Sequence, residues 1–316
     1  MNNKSARNAT PFPTHKTTVD ISQSKLVNTK TFSMSWIIAN KLIQQNQIPI
    51  FTQSGIIEMY SLPLFQCEGI ITGHASIVNY LIETSTHKII TCSYDNTIKI
   101  WNYTRKNNTN IYKCEKTLTE HISSVHQVIE ICDNKFASCS WDSTIKIWNL
   151  KFPYECYYTL KQHKSGLTSI LQLSNGILVS GSVDYTICFW DLKTQNCDKV
   201  ISDVYCCSQN SLYEYNKVLY VGGINEIVAI SIANYQIISH IMINSTHYIY
   251  SLILLRDNNL LCGSQKGNLI HIDISTYKSK GNINMKGENI LGLFNVSEDY
   301  FVSASSSDGV VSLWKY

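Results

Sequence analysis

The chain is poor in the residues that break or staple a fold. Only 14 glycines and 5 prolines occur in 316 residues, which excludes collagen-like and Pro/Gly-rich low-complexity chains. Charge is scarce as well: 16% of residues are charged, the net charge is +3, and no block of one sign occurs. That excludes a dense nucleic-acid stripe or a polybasic membrane patch. No long apolar run is present. The most apolar stretch, Tyr248 to Leu255, lies between His247 and Arg256, far short of the roughly 20 residues that span a bilayer, so no membrane insertion is expected. Cysteine is plentiful, but its patterns are missing. The count of 11 is odd and no C-x-x-C pair occurs, so reduced thiols are expected rather than a disulfide framework. The N-terminal M-N-N-K-S-A-R-N-A-T-P-F-P lacks the apolar core of a secretory signal, and a cytoplasmic or nuclear chain is expected. The Asn244-Ser245-Thr246 match to a glycosylation acceptor is then incidental. Neither G-x-x-x-x-G-K-[ST] nor G-x-G-x-x-G occurs, and no cofactor is expected.

What is present is a core and a period. With 44% apolar residues the chain can bury one or two domains. One segment recurs almost verbatim: S-Y-D-N-T-I-K-I-W-N from Ser93, S-W-D-S-T-I-K-I-W-N from Ser140 and S-V-D-Y-T-I-C-F-W-D from Ser182. Carried along the chain, the frame passes Tyr60, Trp101, Trp148, Trp190, Ile230, Ile272 and Trp314, at spacings of 41, 47, 42, 40, 42 and 42. The long spacing holds a five-residue insertion in T-R-K-N-N-T-N-I-Y-K after Trp101, and its basic residues Arg105, Lys106, Lys113 and Lys116 read as a solvated loop. Within each unit, short alternating apolar runs are divided by turn residues, as in I-V-N-Y-L-I, K-I-I-T-C-S, Y-D-N-T and T-I-K-I-W of the second unit. Four short antiparallel strands per period of about 42 residues is the pattern of a propeller blade.

The Gly73-His74 pair, Asp95 and the closing Trp101, repeated in units two to four, resemble WD40 repeats. The resemblance implies an all-β fold, a seven-bladed WD40 β-propeller closed by an N-terminal outer strand. Units are expected to end near 62, 103, 150, 192, 232, 274 and 316, within a single domain over 16–316 behind a tail over 1–15. The chain ends just after the third strand of the last unit, so residues near Thr17 to Val27 are expected to supply the missing outer strand. Units one, five and six lack the His, Asp and Trp together, and the seventh keeps Asp308 and Trp314.

Three constellations recur with one spacing: His74, Thr91, Asp95 and Trp101; His121, Ser138, Asp142 and Trp148; His163, Ser180, Asp184 and Trp190. His, hydroxyl and Asp are also the parts of a nucleophile triad. The resemblance implies instead a buried chain from indole to hydroxyl to imidazole to carboxylate, in which every donor meets an acceptor. No catalytic residue and no metal site is expected. Cys92, Cys139 and Cys262 read as core filler, and the adjacent pair Cys206-Cys207 has no ligand at zinc spacing. Gly222-Gly223 reads as a turn.

The resemblance further implies that the residue before each Asp, and the residue five after each His, project onto the narrow face of the ring. These are Tyr94, Trp141 and Val183, and Asn79, His126 and Thr168; Tyr248 and Tyr250 join them from unit six. Aromatic side chains gathered on a surface suit recognition. The expected function is a non-catalytic scaffold or adaptor that binds a protein or peptide on this face, as a subunit of a larger complex. His126 is expected to add pH sensitivity, with binding stronger when it is charged. The rivals are a ubiquitin-ligase substrate receptor, for which Trp190-Asp191-Leu192-Lys193 has Lys where Arg is usual, a propeller enzyme, and a nucleic-acid binder.

Overall fold

The computed structural model describes residues 25–32, 47–107, 109–206, 208–243, 247–285, 289–306 and 309–316. Strand β1 (Lys25–Thr31) comes first. Unit one supplies β2 (Gln47–Phe51), β3 (Ile57–Ser61) and β4 (Gln66–Ile71). Unit two holds β5 (Val78–Glu83), β6 (Ile89–Ser93), β7 (Ile98–Lys106) and β8 (Thr109–Leu118). Unit three holds β9 (Val125–Ile131), β10 (Lys135–Ser140), β11 (Thr144–Asn149) and β12 (Cys156–Lys161). Unit four holds β13 (Leu167–Gln172), β14 (Leu178–Ser182), β15 (Thr186–Asp191) and β16 (Asn196–Ser202). Unit five holds β17 (Leu212–Tyr215), β18 (Val218–Gly222), β19 (Glu226–Ser231) and β20 (Ile237–Met242). Unit six holds β21 (Ile249–Leu254), β22 (Leu260–Ser264), β23 (Asn268–Asp273) and β24 (Lys278–Asn284), and unit seven β25 (Ile290–Asn295), β26 (Tyr300–Ser305) and β27 (Val310–Lys315).

Units two to six each pair their four strands antiparallel in sequence order, from an inner to an outer strand. The second strand of units two to seven is almost wholly buried, as in β6, β14 and β22, because it lies between two neighbours in its own sheet and two adjoining sheets. The outer strands are largely exposed, so their alternation carries the polar residues. Apolar residues on the sheet faces form seven clusters, each shared by consecutive units. Phe136 and Trp148 join Ile90 and Ile100 between units two and three. Phe294, Val302 and Leu313 of the last unit join Ile48, Ile50 and Tyr60 of the first. The sheets therefore pack in a cycle, the arrangement of a β-propeller.

The outer strand of the last unit comes from the N-terminal side, with β1 antiparallel to β27 in the order β1-β27-β26-β25. Of the anticipated stretch, Lys25–Val27 belong to it and the strand runs on to Thr31; residues 17–24 lie outside the described residues, as does the 1–15 tail. The continuation beyond Val27 has a packing reason. Phe32, which follows β1, is buried and its N–H donates to Gly309 O at 3.0 Å. Gly309 has φ +68, and a Cβ there would lie 2.1 Å from Phe32 O, so glycine makes room for this closure.

The insertion in unit two is not a solvated loop. Residues Ile98–Lys106 and Thr109–Leu118 extend one long hairpin, and β8 pairs parallel with β4 through Gly69↔Asn110 and Ile70↔Ile111. This merges the three described strands of unit one with unit two into one seven-stranded sheet. Arg105 reaches Glu68 at 3.4 Å across the seam. The basic side chains are thereby placed on a strand, where one of them meets a carboxylate of the neighbouring unit.

Candidate interaction face

The turns between second and third strands carry the repeated S-x-D-x-T. In unit three, Ser140 Oγ donates to Ser123 O at 3.1 Å and accepts the Asp142 N–H at 3.0 Å. Asp142 Oδ1 then accepts the N–H and hydroxyl of Thr144 at 3.0 and 2.6 Å. Asp142 Oδ2 lies 2.7 Å from His121 Nδ1, His121 Nε2 lies 2.8 Å from Ser138 Oγ, and Trp148 Nε1 donates to Ser138 Oγ at 2.8 Å. The same chain runs through His74, Thr91, Asp95 and Trp101, with contacts of 2.7 to 2.9 Å. In unit four the His163 to Asp184 contact loosens to 3.1 Å, while His163 to Ser180 and Trp190 to Ser180 both stay at 2.8 Å. Burial alone would raise the Asp142 pKa. Hydrogen bonds from His121 and Thr144, with the imidazole's charge, overcome that and hold the carboxyl well below its usual range. The hydroxyls of Ser138 and Ser180 are fully buried and committed to indole and imidazole, so they face no substrate. The Thr that follows each Asp by two residues, and the Ser that precedes it by two, were outside the sequence reading, although S-x-D-x-T repeats in plain view.

Unit seven retains part of the chain: Trp314 Nε1 donates to Ser303 Oγ at 2.8 Å. Asp308 lies outside the described residues. Unit six has a different pair, His271 Nε2 and Asp257 Oδ2 at 3.4 Å, both buried.

The residues expected on the face divide into two groups. Tyr94 and Trp141 are 45% and 51% exposed, held at the turn tips by N–H bonds to Ile77 O and Ser124 O. Asn79, His126 and Thr168 are buried, which corrects the expectation that they project outward. They stitch neighbouring sheets instead. Asn79 Nδ2 donates to Val125 O at 2.8 Å and Thr168 Oγ1 to Cys206 O at 2.9 Å. His126 sits between two rings, edge-on to Tyr94 at 5.7 Å and stacked on Trp141 at 5.4 Å. Burial pushes its pKa down to about 4. It is neutral at physiological pH and serves as the floor under two exposed aromatics, not as a charge sensor. Trp141 also covers Gly166, where a Cβ would lie 3.0 Å from the indole.

Val183 is half-buried, and the exposed ring of its turn belongs to Tyr185, two residues on. Tyr185 has φ +65, like Asn96 and Ser143 at the equivalent places. Asn and Ser are small and polar, whereas a large aromatic in the left-handed region is strained. Its ring lies 5.0 Å from Tyr205, which lies 6.4 Å from Tyr248, which stacks on Tyr250 at 6.0 Å. Tyr185 and Tyr248 are exposed, and Tyr250 is half-buried. Tyr185 and Tyr205 were missed because Tyr185 follows the Asp instead of preceding it, and Tyr205 lies in a connection without repeat pattern. The face thus carries two aromatic groups, one on units two and three and one on units four to six.

Among the described residues, no group of three His, Cys, Asp or Glu side chains could hold a metal ion, and no helix is long and apolar enough to cross a membrane. No curated protein matches the chain. The family model "WD domain, G-beta repeat" matches residues 65–102, 112–149 and 154–191, the stretch that carries the three complete His, Ser/Thr, Asp and Trp networks. Residues 65–191 thus carry three WD40 repeats, and domains built of such repeats are in general protein-interaction scaffolds.

Proposed function

We propose that the chain is a non-catalytic docking platform: one domain over 16–316, a propeller of seven blades, that binds a protein or peptide on the face bearing the two aromatic groups. The seven shared apolar clusters support the single domain. The observation that carries the binding role is Trp141, a large aromatic half in solvent on a rigid turn, stacked on a neutral His126 and flanked by Tyr94. Rigid aromatics lose little entropy when covered, so they are the usual anchors of a binding hot spot. The three polar networks support the rest: they hold the turns that present Tyr94, Trp141 and Tyr185.

Affinity capture with the full chain tests this. Trp141→Ala is expected to cost at least about 2 kcal/mol of binding, roughly 30-fold, with thermal unfolding nearly unchanged. Lys106→Ala, on the rim hairpin, should leave capture intact. Loss of capture with Lys106→Ala and its retention with Trp141→Ala would move the binding surface to the rim.

A further inference from the structure

The outer strands form the ring's rim; apart from β4 and β8, which pair with each other, they are open edges, and such edges are ordinarily guarded by charge. Four of the five open edges follow that rule: Lys25 and Lys30 on β1, Lys161 on β12, Asp198 and Lys199 on β16, Lys278 and Lys280 on β24. Strand β20, I-I-S-H-I-M, has no Lys, Arg, Asp or Glu. It exposes Ile237, Ile238 and Met242, the last by 63%. Its sole titratable side chain, His240, is tied by Nδ1 to Glu226 Oε2 at 2.8 Å. Ser239–Met242 pair regularly with Glu226–Ala229 on one side, and β20 ends its sheet on the other. Elsewhere in the same ring an outer edge does accept a strand, where β8 lies along β4.

We propose that β20 is a self-association edge, on which two copies of this chain pair antiparallel about a two-fold axis at His240. A two-fold contact requires a patch that is its own complement. β20 meets this requirement because apolar residues lie on both sides of a polar centre. Pairing about His240 sets Ser239 opposite Ile241 of the second copy and Ile238 opposite Met242. No Lys or carboxylate on β20 is dehydrated, and each His240 keeps its own Glu226. The same union on β16 or β24 would bury lysines. The charge-free, self-complementary edge favours a second copy over an unrelated strand, which would need no such symmetry.

Sedimentation equilibrium over a wide concentration range decides the matter. The wild-type mass is expected to rise from the 35.9 kDa monomer toward twice that value. Ile238→Lys with Met242→Lys should hold the chain at the monomer mass with an unchanged melting temperature, since both side chains already face solvent. Tyr157→Lys removes an exposed aromatic from β12 and should associate like wild type. His240→Cys, oxidised with diamide, should give a dimer linked through position 240, mapped by mass spectrometry. This link decides the case even if the double variant misfolds. A wild type that stays monomeric throughout overturns the proposal, as does association that persists without the 240 link or is untouched by both lysines.

Discussion

In unit three, Trp148 covers Phe136 and passes its indole N–H to Ser138, which meets His121 and, through it, Asp142. In unit five the same places in the sheet hold Ile230 against Leu219 and, two residues further along that strand, Val221, all fully buried. Unit six likewise sets Ile272 against Leu260, with Cys262 in the hydroxyl position. The indole and the hydroxyl disappear together. This follows from the cost of buried polar atoms: an indole N–H without an acceptor, or a hydroxyl without a partner, is worse than aliphatic packing. The ring thus uses two self-consistent cores, one hydrogen-bonded and one dry, and mixed versions should be the unstable ones.

The largest effect should come from making a mixed core. Trp148→Ile, with Ser138 and His121 kept, should cost about 3 to 5 kcal/mol through the cavity and the lost indole donor to Ser138. Adding Ser138→Val together with His121→Leu, so that no imidazole is left without its hydroxyl, should return about 1 kcal/mol. Urea denaturation of the pair checks this, and a second change that destabilises further would break the idea of two interchangeable cores.

Asp142→Ala should cost less, about 1 to 3 kcal/mol, because it leaves His121 and the Ile122 and Thr144 amides underpaired without opening a large cavity. Equal loss from Asp191→Ala, a half-buried aspartate at the end of β15 outside the three networks, would contradict it.

Acid should separate the two kinds of unit. The carboxyls of Asp95, Asp142 and Asp184 are held below their usual range in the fold. Their contribution is complete above the unfolded pKa of about 4 and is lost as pH falls through the lower folded values. Hydrogen exchange stepped downward from about pH 4 should show units two to four losing protection relative to unit five, whose core has no such aspartate.

The smallest effect on binding concerns His126. Because burial lowers its pKa to about 4, the unfolded chain takes up a proton near pH 6.5 that the folded chain refuses. Stability should therefore decline from about pH 6.5 toward about 4, and His126→Gln should flatten that slope. Binding on the aromatic face should be flat between about pH 5.5 and 8. A binding midpoint near pH 6.5 would mean that the ring opens to water when a partner arrives.

Much of the architecture is legible in the one-dimensional record. A period near 42, four apolar runs per period and the His, Ser/Thr, Asp and Trp spacing are local properties, and the strands and turns follow from them. The exposed aromatics Tyr94 and Trp141 were readable for the same reason, since a turn tip is a fixed offset from the Asp. Offsets say nothing about what lies across a sheet boundary. Asn79, His126 and Thr168 share their offset with residues that face solvent in a generic blade, yet here each meets a carbonyl or a ring beyond its own unit. The basic insertion looked like a loop because its pairing partner, β4, lies more than 35 residues away in sequence.

The sequence by itself determined the strand content, the repeat and the three polar networks, because hydrophobic alternation and short-range hydrogen bonds act over a few residues or one fixed hairpin. Tertiary structure alone decided where the ring closes, that Tyr185 joins Tyr205 and Tyr248 in a second aromatic group, that His126 is buried and neutral, and that β20 is the unguarded edge. Each of these depends on which sheet lies beside which, and therefore on burial and desolvation that no single strand carries within itself.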